Sequence, residues 1–374
     1  MVIGINFIPL SKEQGTGAFR YIQLMFKQMG NYHIQDCKFI VYKQKNISER
    51  YLAIPKNLNV EYVNVPNIGT GLKRFLFEQS LFYFYLKSHD VFYSYCTSMP
   101  LFLKSRKIFT LHDVYFYSEK ARYGFLQRNY LKVITKLCIS ICDKILTVSN
   151  FSKNEIIKYY NVNPSKISIT YNFIIKDKDI VVDNVEIIDV DGKHIDTNIP
   201  YFLFVGNIHP GKNIVRMVKG FERFNDRDKR YNLLICGKLA NSGESILNVI
   251  SGASNVYYLG YQSRSNVEWL FKNCKAVVLI SLCEGFGIPP LEGFVYNKPA
   301  LVSNATSLPE VVGDAGVCVN PLEISDIAMG FQKIEENSDI LSSYCSKQID
   351  KFSATDSVEK FMQALNINFK RISD

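Results

Sequence analysis

No apolar run in this 374-residue chain is long enough to cross a bilayer. No basic leader or cleavage site marks the start, where Met1 to Phe7 is expected to be a first strand and not a signal peptide. The nine cysteines contain no Cys-x-x-Cys pair. Cys138 and Cys142 stand four apart on an expected helix without a His or Cys partner nearby, and Cys236, Cys274 and Cys318 sit in apolar runs. Buried free thiols in a reducing cytoplasm are therefore expected. The single tryptophan, Trp269, falls in a helical stretch and is expected in the core. No nucleic-acid motif accompanies the net charge of +9, which is spread along the chain. A basic protein of this kind is left with phosphorylated small molecules or an anionic membrane as partners.

Against these absences stands an ordinary globular composition, 47% hydrophobic and 21% charged, in a chain long enough for two domains. The first half alternates strand and helix patterns, which argues for a parallel sheet covered on both faces. The most informative stretch is Ser281 to Glu292, SLCEGFGIPPLE. It follows Ala276 to Ile280, a β-branched apolar run that reads as a buried parallel strand. Gly285 and Gly287 flank Phe286 and let a ligand approach the main chain. Pro289 and Pro290, just after Ile288, suit a helix entrance. A helix start after a strand end presents N–H groups and partial positive charge to an anion. Glu284 and Glu292 flank that cradle and can each accept from pairs of hydroxyls. Two sugars with a diphosphate between them fit this arrangement, as in a nucleotide sugar.

Glu284 and Glu292 resemble the E-x7-E signature of the retaining glycosyltransferases of the GT-B fold, family four. The likeness continues through Pro299 to Ser303 and through Ser307 to Gly316. It implies an α/β protein of two Rossmann-like domains facing across a cleft, with a C-terminal helix returning to the first domain. The expected boundaries are an acceptor domain over 1–173, a linker or insertion over 174–199 and a donor domain over 200–355. The C-terminal helix over 356–374 is expected to rejoin the first domain. The implied activity moves a hexose, with retention, from a nucleoside-diphosphate sugar to a glycan or lipid-linked glycan of a surface polysaccharide such as O-antigen or capsule. No cofactor and no metal are implied. A nucleotide-sugar epimerase of the same shape, or a non-catalytic nucleotide-sugar-binding protein, stays open as an alternative.

The resemblance also assigns residues. Gly206, Asn207 and Lys212 match its second-domain glycine loop, whose basic residue holds the donor diphosphate. The arginine that many members carry there is Asn207 or Gly211 here, so neutralisation rests on Lys212 unless Arg216 reaches in. His112 and Asp113 follow a strand and resemble the family's His-Asp pair, with the histidine lining the donor-sugar pocket; the plainer reading of Asp113 is a turn cap. Gly15 and Gly17 resemble the first glycine loop, facing cleft and acceptor. Gly237 and Tyr261 end strands expected near the nucleotide base. Glu284, His112 and Lys212 are the expected catalytic residues, and Glu292 the ribose ligand.

Asp189 and Asp191 form a D-x-D that reads as a turn at Gly192. Residues 73–87 and 125–142 read as helices, with Ser152 capping a helix from Lys153 and a last helix over 358–369. Two segments, residues 72–87 and 120–132, are both basic and aromatic. The stretch Phe82 to Leu86 reads as core. The segment around Arg122 fits either a core helix or a bilayer surface, so peripheral contact with an anionic membrane, at the inner face, is a further expectation.

Overall fold

A computed structural model of the chain describes residues 1–13, 16–118, 124–175, 185–226, 230–240 and 243–372. It divides into two compact units, Met1–Asn172 with Ser353–Asp374, and Phe173–Phe352.

The first unit holds β1 (Val2–Asn6), α1 (Gly17–Met29), β2 (Tyr32–Ile34), β3 (Lys38–Gln44), α2 (Glu49–Leu52), β4 (Val60–Val65), α3 (Gly71–Gln79) and β5 (Val91–Ser94). It continues with β6 (Arg106–Thr110), α4 (Phe125–Ile141), β7 (Lys144–Thr147), α5 (Asn150–Tyr160) and β8 (Ile167–Ile169). Its parallel sheet has the order β4-β3-β1-β5-β6-β7-β8. The order reverses between β1 and β5, which creates a crevice at the carboxyl ends of those strands. β1 and β5 are buried except at Val2, as expected of strands covered on both faces.

The helix expected over 73–87 ends at Gln79. Ser80 leaves helical geometry at φ −133° and ψ −85°, and a tighter turn, Leu81–Phe84, follows. The aromatics then diverge: Phe82 is fully buried, as expected, whereas Phe84 is 85% exposed and corrects the core reading there. The cap of α5 is Ser149, whose side chain accepts from Ser152 N–H, so the helix starts earlier than expected.

The second unit holds β9 (Tyr201–Val205), α6 (Ile214–Asn225), β10 (Asn232–Cys236), α7 (Glu244–Ser251), β11 (Val256–Gly260), α8 (Arg264–Asn273) and β12 (Ala276–Leu279). Then come α9 (Ile288–Phe294), β13 (Ala300–Ser303), α10 (Leu308–Val312), β14 (Gly316–Val319), α11 (Ile324–Ser343) and α12 (Cys345–Asp350). Its sheet order is β11-β10-β9-β12-β13-β14, again with the reversal at its centre, between β9 and β12. Aromatic side chains build much of this core, with Phe202 packed edge-on against Phe331 at 4.8 Å. Residues 187–195 belong to this unit: Asp189 Oδ1 accepts from the N–H groups of Asp191 and Lys193, turning the chain at Gly192, and Val190 N–H donates to Tyr258 O. The Asp189 reading as a turn residue matches this geometry. Trp269 is half-buried on α8, not a core residue.

The chain ends in α13 (Ala354–Ala364) and β15 (Phe369–Arg371). α13 packs on α1 and β8 of the first unit, and Tyr93 meets Phe361 edge-on at 5.0 Å. β15 pairs antiparallel with β2, an element too short to carry a sequence pattern. All nine cysteines are free thiols. Six are buried and two half-buried, but Cys318 is exposed, because the short strand β14 is the sheet's edge. No helix among the described residues is long and apolar enough to cross a membrane.

Candidate active site

In the second unit, β9 and β12 lie side by side with Val277 opposite Leu203. Their carboxyl-end loops are therefore neighbours, at the one place in the sheet where the connections run apart. The β9 loop passes Gly206, exposed Asn207 and a one-turn 3₁₀ segment, Pro210–Lys212. Asn213 then adopts left-handed geometry at φ 57° and α6 begins. The β12 loop carries Glu284. Lys212 Nζ donates to Glu284 Oε1, joining the two loops in an ion pair whose side chains are only 16% and 15% exposed. Leu282 N–H donates to Gly211 O at 2.9 Å, so the backbones are tied as well.

Serines that sequence reading passed over brace the β12 loop. Ser281 Oγ donates to Glu284 Oε1 at 2.9 Å. Ser307 Oγ lies 2.7 Å from Glu284 O and 2.9 Å from Phe286 O. Gly287 turns the chain into α9 at φ 101°, and a Cβ there would come within 2.4 Å of Leu308. Pro289 and Pro290 occupy the entrance of α9, with Ile288 as its first residue. The Phe286 ring is buried edge-on against Phe352 and is not presented to a ligand. Gly285 is half-buried beside it.

Glu292 has a different partner from Glu284. It is buried on α9, and its Oε1 accepts from Arg264 Nη1 at 2.6 Å, while Arg264 Nε reaches Glu268 Oε1 at 2.7 Å. Arg264 is thus a two-carboxylate clamp. Burial lowers the guanidinium's proton affinity, but Glu292 and Glu268 outweigh it and raise the value above normal. No motif pointed to Arg264; the one available signal was the Arg264–Glu268 spacing of four on a helix. Arg216 is turned toward Asn213 Oδ1, at 3.0 Å.

Gly237 has a strict structural task. At φ 147°, its Cβ would fall 1.9 Å from Gly206 O, so the ends of β9 and β10 approach too closely for any side chain. Tyr261, just past β11, is 72% exposed and lies under Lys238 Nζ at 4.7 Å.

In the first unit, His112 lies two residues past the end of β6. Its Nε2 lies 3.0 Å from Tyr95 O, its carbonyl accepts from Ser152 Oγ, and its ring meets Tyr21 edge-on at 5.2 Å. A carbonyl only accepts, so Nε2 carries the proton and, in the neutral ring, Nδ1 keeps a lone pair. Burial lowers the His112 pKa to about 4, against a smaller opposite pull from the Tyr95 hydrogen bond, so the ring is neutral at physiological pH. Asp113 Oδ1 accepts from Tyr115 N–H at 3.1 Å, the turn-cap geometry. Gly17 opens α1 with unoccupied space where a Cβ would stand, beside the capping Thr16. Gly15 lies outside the described residues.

Two doubly wound parallel sheets, one carrying a paired lysine and carboxylate at its switch point, define the α/β class in which ligands bind beyond the carboxyl ends of the strands. Comparison with known proteins narrows the class. Residues 188–352 match the model described as glycosyl transferases group 1, and residues 61–178 match glycosyltransferase family 4. The chain is 32% identical over 257 residues to the O-antigen chain mannosyltransferase RfbU of Salmonella typhimurium, the match covering 67% of each chain. It is 27% identical over 238 residues to the O-antigen chain mannosyltransferase B of Escherichia coli, covering 62% of each. Among solved structures, HepE of Anabaena in complex with UDP and glucose superposes with a TM-score of 0.69 at 13% identity, covering 98% of this chain and 99% of that one. The chain belongs to the group 1, family 4 glycosyltransferases: it is a glycosyltransferase of the GT-B fold.

Proposed function

We propose that the protein transfers a hexose, with retention, from a nucleoside-diphosphate sugar to a glycan or lipid-linked glycan of O-antigen or capsule type. The Lys212–Glu284 pair carries the reading. Charge accumulates on the diphosphate as the glycosidic bond breaks, and a lysine at the switch point is placed to meet it. Glu284, released from Lys212 by the phosphates, is then free to accept from sugar hydroxyls, while Glu292, fixed by Arg264, takes the ribose hydroxyls. His112 Nδ1, held as an acceptor, suits a further sugar hydroxyl. Main-chain groups near Gly285 to Ile288 complete the donor set, with Gly206, Asn207, Gly237 and Tyr261 toward the nucleotide and Gly17 and Asp113 toward the acceptor. The chemistry uses no cofactor and no metal in this reading. The O-antigen mannosyltransferase names of the two relatives support this polysaccharide setting and favour a mannosyl donor.

A polymer built on a lipid carrier brings the enzyme to a membrane face. The first unit supports such contact. Phe84, Leu126 and Phe102 are 85%, 82% and 78% exposed. Leu126, Val133 and Leu137 form an exposed apolar stripe along α4, whose Tyr130 meets Phe75 of α3 at 5.8 Å. Across residues 71–87, 99–108 and 124–142 the only carboxylate is Glu78, and it is buried. Incubating the purified chain with UDP-, GDP- and dTDP-sugars, with and without a lipid-linked acceptor, tests the reading. A linkage of retained configuration is expected with one donor. Release of an epimer from donor alone, or binding without turnover across the acceptors, would overturn it.

A further inference from the structure

The first unit has a cationic hollow of about 540 Å³. Its lining brings together Arg106, Lys144, Lys153 and Lys360 from β6, β7, α5 and α13. The register explains the convergence. Ile108 stands opposite Lys144 and Leu146 opposite Ser168, so Arg106, Lys144 and Ser168 share one sheet face. α13 covers that face through Phe361 on Tyr93 and brings Lys360 to the rim.

Four cations around a hollow repel one another unless something offsets them. No carboxylate lines the hollow. Lys360 has one acidic neighbour, Asp356, at 2.8 Å on its own exposed helix face. Lys144 Nζ donates to a neutral carbonyl, Ser165 O, at 2.8 Å, which leaves its charge uncompensated. Arg106 and Lys153 have no ion-pair partner among the described residues. The volume falls in the range of small-molecule sites, and a guanidinium with three ammoniums is the donor set of a multiply charged oxyanion.

We propose that this hollow binds a phosphate-bearing anion, either a free di- or oligophosphate or a phospholipid headgroup. The ligand would bridge β6, β7, α5 and α13, and so clamp the C-terminal helix onto the sheet of the first unit. The proposal stands independently of the donor assignment, because none of its residues belongs to the Lys212 and Glu284 site.

Calorimetric titration of inorganic diphosphate into the full chain at low salt is the test, with Lys153→Gln/Lys360→Gln and Lys212→Ala as variants. Both substituted lysines of the double variant lie on helix surfaces, and its melting temperature checks the fold. One class of diphosphate site should weaken tenfold or more in the double variant and persist in Lys212→Ala. Lys153→Glu should abolish that site and raise the melting temperature without ligand, since it supplies the missing counter-charge. Flotation with phosphatidylglycerol vesicles separates the sources. Unchanged vesicle binding in the double variant assigns a soluble phosphate, whereas vesicle binding lost in that variant, and displaced by diphosphate in the wild type, assigns a headgroup. Diphosphate isotherms and vesicle binding that both superimpose on the wild type would overturn the site.

Discussion

Lys212 and Glu284 grip each other across two loops that leave adjacent parallel strands, at the point where the strand order of the second unit reverses. Each side chain thereby holds the other in place before any ligand arrives. Lys212→Ala and Glu284→Ala are each expected to lower kcat/KM at least 100-fold, about 2.7 kcal/mol or more in the transition state. The melting temperature should fall as well, because removing one member of a mostly buried ion pair leaves the other charge unpaired. The double variant should lose much less than the sum of the two, since they act as one unit. Wild-type turnover in either folded single variant would remove that residue from the mechanism.

Arg264 joins the buried Glu292 to Glu268, and its removal leaves two carboxylates without their cation. Arg264→Met should therefore destabilise the protein by about 1 to 2 kcal/mol, because Glu292 and Glu268 are buried but Arg264 itself is 41% exposed, which discounts the scale for a fully buried pair. Arg264→Lys should recover only part, because an ammonium lacks the fork that reaches both acids. If Glu292 holds the ribose, Arg264→Lys should also raise the donor KM with kcat nearly unchanged. Thermal melts and donor titrations check both effects, and a donor KM unaltered in a clearly destabilised variant would confine Arg264 to a structural role.

Backbone approach sets a third expectation. Gly237→Ala would place a methyl group where Gly206 O already stands, at 1.9 Å, in a conformation unfavourable to side chains. A loss of about 3 kcal/mol or more follows from overpacking and strain together. Gly17→Ala, with open space at the same position, should leave the melting temperature within a degree or two. Equal stability losses in the two variants would contradict the geometry.

These contrasts mark what the sequence could and could not disclose. Strands buried on both faces, such as β9 and β12, declare themselves as apolar runs, and the Glu284 loop declares itself by glycine and proline chemistry. Lys212 and Glu284 were each legible, but their contact was not: it needs the strand order that makes β9 and β12 neighbours and brings their loops together. Arg264 was not legible, because its pairing with Glu292 spans 28 residues and carries no motif. The break at Ser80 was hidden for a different reason: residues 73–87 keep helical apolar spacing while tertiary packing puts Phe82 inside and Phe84 outside. Nor did anything local reveal that β15 would pair with β2.

His112 gives a pH dependence with a definite sign. Its folded pKa, about 4, lies below the ordinary value of 6.5, so the folded state binds its proton less readily than the unfolded chain. The contribution of the neutral ring to stability is fully present above about pH 6.5 and is lost as the pH falls through about 4. His112→Asn should flatten the stability profile over that window relative to the wild type, in denaturant unfolding at pH 7, 6, 5 and 4.5. An identical acid slope in the variant would show that His112 is not the group responsible. Because the ring does not titrate between pH 6 and 8, any bend in kcat/KM across that range should survive the same substitution.

The exposed apolar stripe of α4 makes the membrane reading measurable. Leu126 and Val133 face solvent while Ile134 and Cys138 face the core, so polar replacements on the outer side remove little native packing. Leu126→Ser/Val133→Ser, combined with Phe84→Ser, should leave the melting temperature nearly unchanged and weaken binding to vesicles of anionic phospholipid by tenfold or more. At about 0.8 kcal/mol for each buried methylene-sized group, loss of even part of these side chains from the interface is enough for such a change. Wild-type binding should fall steeply with salt, because Lys73, Arg128, Lys132 and Lys136 supply the attraction that brings the stripe to the surface. Turnover on a soluble acceptor should persist in the triple variant while turnover on a vesicle-embedded one declines, which separates surface docking from catalysis. Vesicle binding equal to that of the wild type, or its loss together with soluble activity, would show that this face does not meet the bilayer.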